Sequence, residues 1–163
     1  MVVLVPVLAW VAALIAAAIA TARGPRPVTF PFAADRLLRY IFIFPVGMMG
    51  LWAASGHLFF PAVVARAIGW QPSPFQFEVG VANLGMDLAG LYAAFRTFEA
   101  GLATNFALAC FLIGAGGGHI RDIIAAGNLA PGNAGPILFT DLLTPLVIFV
   151  LLWLARHDAA SHR

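Results

Sequence analysis

Residues 137–155 read ILFTDLLTPLVIFVLLWLA, an apolar run with Asp141 as its one charged side chain. A helix rises about 1.5 Å per residue, so this stretch comes close to the roughly 30 Å of a bilayer's hydrocarbon core. Four more runs have the same character, at 2–20, 37–60, 75–98 and 101–120. None alternates polar with apolar residues, as the strands of a membrane barrel must. Helices, which satisfy their own backbone in lipid, remain. The expected fold is an all-α membrane protein of one domain, 1–163. It has five transmembrane helices, the last four forming a compact bundle.

Composition leads to the same place. Of the 163 residues, 62% are apolar and 10% charged, against about 45–50% and 25% in soluble domains. A soluble globule of this size cannot hide so much apolar surface. The single Cys110 excludes a disulfide-stapled module and zinc motifs built on cysteine pairs. The net charge of +2 comes from scattered arginines, with no lysine, and no Gly-rich phosphate loop follows a strand. Nucleic acid is therefore not an expected partner. The expected partners are the lipid bilayer and a membrane protein, either a different chain or further copies of this one.

Ala20-Thr21-Ala22 resembles a signal-peptide cleavage site, but no basic residue precedes the first run. The run reads as an uncleaved helix in a cell-membrane protein. An N-out, C-in chain puts Arg23, Arg26, Arg36, Arg39, Arg96, Arg156 and Arg163 inside and only Arg66 and Arg121 outside, as the positive-inside rule requires. Pro25, Pro27 and Pro31 forbid one long helix through the first connection. Residues 61–70 suit the outer interface, with Trp70 as an aromatic anchor. The Gly, Pro and Asn of 127–136 signal ordered turns.

Ionisable residues inside spans raise a functional hypothesis by default. His57, Glu78, His119 and Asp141 each lie within a few residues of the outer end of a different span. Pro61 and Pro145 follow His57 and Asp141 by four residues. If each helix continues, the carbonyls of His57 and Asp141 lose their donors. Gly114 and Gly116–Gly118 permit close approach beside His119.

Two imidazoles and two carboxylates suit zinc or iron. A second reading places His57 and His119 as axial ligands of a haem. A third is a polar network that serves helix packing only, in a structural or accessory subunit of a larger membrane complex. No helical HExxH spacing occurs, so no catalytic role or substrate follows from the pattern.

Asp87 pairs most simply with Asn83, one turn away, and Arg121-Asp122 with itself. Cys110 suits an inert apolar position, and Gly114 and Gly118 a packing face.

Several strings carry a family resemblance. These are Gly56-His57 through Pro61, Ile68-Gly69-Trp70, Ser73-Pro74-Phe75-Gln76-Phe77-Glu78-Val79-Gly80, Gly118-His119-Ile120 and Ala130-Pro131-Gly132-Asn133-Ala134-Gly135. Together, over about 35–154, they resemble a family of small prokaryotic membrane proteins known only as a domain of unknown function. The resemblance implies no activity, but its strings include His57, Glu78 and His119 and lead up to Asp141. The general helix pattern is also similar to DoxX-like four-helix proteins.

Overall fold

A computed structural model describes residues 4–161, with side chains as far as Ala155. Six helices and no strand occur among the described residues. They are α1 (Val5–Ala22), α2 (Phe30–Phe59), α3 (Pro61–Ile68), α4 (Phe75–Ala93), α5 (Phe98–Ala126) and α6 (Pro136–Ser161). Four stretches are long and apolar enough to cross a membrane: α1, α2, α5 and Pro136–Ala155 of α6. Helix α4 is long enough but more polar, because it carries Gln76, Glu78, Asn83 and Asp87.

Helix α2 begins at Phe30, before the expected 37. Thr29 caps it by accepting from the Phe32 N–H at 3.4 Å, and Pro31 occupies the first turn, where its missing N–H costs nothing. Pro45 does not break this helix. Phe42–Met48 widens into a π-helical segment that absorbs the proline. Near Pro61 the outcome is the reverse of the expectation. Helix α2 stops at Phe59, Phe60 leaves helical geometry, and Pro61 opens α3. No helix runs through Pro61, and the His57 carbonyl lies in the last turn of α2, where Pro61 has no N–H to offer it. Helix α6 does continue through Pro145. There the Asn105 amide of α5 donates to the Pro145 carbonyl at 3.0 Å.

Helix α2 is central, packing against α1, α4 and α6, and α6 also packs against α5. The short 94–97 connection makes α4 and α5 neighbours, which completes the bundle. Ile41, Phe42, Val46, Leu108, Ile148 and Leu152 fill its core. Helices α2 and α4 run antiparallel at glycine-limited distance. Gly47 abuts Leu91, Gly50 abuts Asp87, and Gly90 abuts Val46; a Cβ on any of them would stand 2.5 Å or less from its neighbour. Such small-residue contacts let helix backbones approach where no hydrophobic driving force exists. Helix α1 joins through a stripe of small side chains, Ala13 and Ala17, both buried.

Candidate functional site

At the end of the bundle where α2 and α5 finish and α4 and α6 start, the 127–135 loop folds back over the helices. Gly69 and Gly127 terminate α3 and α5 in the left-handed conformation, at φ 84° and 63°, which only glycine adopts without cost. The loop is an ordered series of turns, as the sequence suggests. Its Gly132 N–H donates to the Ala67 carbonyl at 3.0 Å. A Cβ on Gly132 would stand 2.6 Å from that same oxygen. Glycine is therefore required there by contact with α3.

Asn133 follows and is completely buried. Its amide nitrogen donates to the Asn128 carbonyl at 2.8 Å and to the His119 carbonyl at 3.4 Å. Its oxygen lies 2.7 Å from Nδ1 of His119. With the amide so oriented, Nδ1 must carry the proton and donate. His119 Nε2 then faces Asp141, 3.7 Å from its Oδ2. Both side chains are buried, and Gly116, in contact with Leu142 and next to Asp141 Cβ, lets α5 and α6 close at this level. The Trp70 ring stacks on His119 at 6.2 Å between centroids. A second set of bonds surrounds this one. Asp122 accepts from Trp70 Nε1 at 3.1 Å and from Asn128 at 2.6 Å, and Asn128 also donates to the Ile68 carbonyl.

The four expected ligands are thus divided. His119 and Asp141 come together. His57 instead bonds through Nδ1 to the buried Gln76, joining α2 to α4. Glu78 is exposed in the first turn of α4, where a negative charge complements the helix dipole. Among the described residues, no group of three or more His, Cys, Asp or Glu side chains is placed to hold a metal ion. The two imidazoles of the haem reading each bond through Nδ1 to a separate partner, His57 to Gln76 and His119 to Asn133.

Three further expectations change. Asp122 is engaged by Trp70 and Asn128, not Arg121. Of the glycines near His119 only Gly116 has packing neighbours; Gly114, Gly117 and Gly118 have none within 4 Å. Asp87 is buried against Gly50 of α2, with Oδ2 unpartnered, so it does not pair with Asn83 through that oxygen.

The strings that carry the family resemblance hold residues just described: Gln76, His119, Gly132 and Asn133. The sequence pattern of a family of unknown function, DUF6790, matches residues 3–161. The chain belongs to DUF6790. The DUF6790 match extends beyond the expected 35–154 and takes in α1, in keeping with the packing of Ala13 and Ala17 on the bundle. No curated protein and no solved structure matches this DUF6790 chain.

Proposed function

We propose that this chain is a five-span protein of the cell membrane, N-terminus outside and C-terminus cytoplasmic, that serves as a structural or accessory subunit of a larger membrane assembly. The observation that supports this reading is the engagement of His119 and Asn133 in the outer polar cluster by the protein's own groups. His119 is bonded by Asn133, paired with Asp141 and covered by Trp70. Asn133 has partners at both its oxygen and its nitrogen. A buried network of this kind fixes helices and loop in one arrangement. The fifth span is α4. It lies antiparallel to α2 over its length, and its Gln76 and Asp87 are buried against α2 instead of facing lipid.

A second reading rests on one distance. At 3.7 Å the His119–Asp141 contact is longer than a hydrogen bond. An imidazole and a carboxylate held apart in this way are two ligands of a site for zinc, iron or a small polar molecule.

Elemental analysis, an absorption spectrum and a zinc titration of the purified protein separate the two. The subunit reading expects no stoichiometric metal, no Soret band and no saturable zinc binding that depends on His119. One equivalent of zinc or iron that is lost in His119→Gln overturns it.

A further inference from the structure

The opposite end of the bundle, rich in arginine, holds a cavity of about 650 Å³, within the range of roughly 300–1,000 Å³ common for small-molecule sites. Its wall is apolar, formed by Leu38 and Phe42 of α2, Ala93 of α4, Gly101 of α5 and Leu152 of α6. Arg39 and Arg96 stand at the same cavity with Asp35 and Glu99. Both carboxylates are already engaged close by. Asp35 accepts from Nε of its neighbour Arg36 at 3.0 Å. Glu99 accepts from the Thr97 hydroxyl and from its own backbone N–H.

Among the described residues, the two arginines at the cavity have no such partner. Arg39 lies 5.8 Å from the Phe95 ring centre and Arg96 lies 4.5 Å from that of Tyr92. These cation–π contacts hold the guanidinium groups and leave their N–H forks to a ligand. Arg39 Nε is buried without any hydrogen-bond partner, a costly arrangement that an acceptor would relieve. The pattern is therefore amphiphilic: an apolar trough between helix ends, with two guanidinium groups at it, one of which has its Nε buried without a partner.

We propose that this cavity binds an anionic glycerophospholipid, with the headgroup phosphate held by Arg39 and Arg96 and the upper acyl chain laid against the half-buried Phe98 and Ala155 of its lining. A phosphate oxygen satisfies the arginine forks bidentately. The apolar wall distinguishes a lipid from free phosphate, which has nothing to place there. Basic pockets between helix ends are the physical form that such headgroup recognition takes. The site does not depend on which way the chain crosses the membrane, so its test is separate from the topology and the subunit reading.

The test uses the full chain, purified in detergent and delipidated. Phosphatidylglycerol and phosphatidylcholine with identical acyl chains are added separately, and retention is read by native mass spectrometry. Inorganic phosphate serves as the third probe. Phosphatidylglycerol should be retained in preference, and the preference should fall by about fivefold for each arginine removed in Arg39→Gln and Arg96→Gln. Arg66→Gln, on α3 at the other end, should leave it unchanged. Arg96 is exposed, so its variant tests the site even where Arg39→Gln disturbs folding. Equal retention of the two lipids overturns the proposal, as does an unchanged preference in folded Arg96→Gln or an equal loss in Arg66→Gln. Displacement of the lipid by inorganic phosphate assigns the site to the free anion and overturns the lipid reading.

Discussion

The amide oxygen of Asn133 lies 2.7 Å from His119 Nδ1, which determines what the other side of that imidazole can do. With Nδ1 as donor, a neutral His119 presents a lone pair at Nε2 towards Asp141. The imidazole and the carboxyl face each other across 3.7 Å. Helices α5 and α6 are thus coupled through a pair whose geometry is set by a loop residue. The same Asn133 holds the loop to the helix by donating to the His119 carbonyl.

Asn133→Ala should therefore loosen loop and helices together. It leaves His119 Nδ1 and two carbonyls without their buried partner, at about 1–3 kcal/mol for each group left unpaired. Thermal unfolding in detergent should show a clear fall in Tm, with helix content unchanged before the transition. An unchanged Tm would mean that the network contributes nothing to stability.

The α2–α4 contact makes a second case. A Cβ on Gly50 would stand 2.0 Å from Asp87 Oδ1, so Gly50→Ala forces the pair apart at about 1–3 kcal/mol, the usual cost of overpacking. Asp87→Ala in the same chain removes the obstructing atoms and should restore much of the loss, a coupling that a double-mutant cycle measures. Gly85, on the same helix as Asp87, has no neighbour within 4 Å of its added Cβ. Gly85→Ala should be neutral or slightly stabilising. Equal losses at Gly50 and Gly85 would contradict the contact.

The helical class and the approximate runs are legible in the sequence because lipid permits few structures and hydropathy reports them directly. Ends are less legible. The start of α2 is concealed by Asp35, Arg36 and Arg39, which interrupt the apolar run although Thr29 and Pro31 form an ordinary helix start. Arg121 and Asp122 hide the last turns of α5 in the same way. Depth along the helices brings His119 and Asp141 to one level, but it carries no information on helix rotation. Rotation turns Glu78 outward and His57 to Gln76. Asn128 and Asn133 read as turn formers, since their partners come from α3 and α5, far away in sequence.

Helix α1 should remain in the mature protein. Ala13 and Ala17 are buried within the bundle. The intact mass of the membrane-extracted protein should include α1, whereas a mass beginning near Thr21 or Gly24 would show cleavage. Ala13→Leu should lower Tm by overfilling the α1 contact, at about 1–3 kcal/mol. Leu14→Ala, at an exposed position, should not.

Whether α4 crosses the membrane is the sharpest question of topology. Its ends are the 69–74 connection after α3 and the 94–97 turn before α5. If α4 spans, these two points lie on opposite sides; if it lies along the surface, they share one. The burial of Gln76 and Asp87 against α2 favours crossing, since polar groups at membrane depth seek protein neighbours. The arginine distribution then puts Arg96 inside with Arg36 and Arg39. A reporter active only after export should work when fused after Pro72 or Gly127. One active only in the cytoplasm should work after Arg96 and after Arg163. Exported activity at both Pro72 and Arg96 would leave four spans, reverse the side of the C-terminus, and remove the N-out, C-in arrangement.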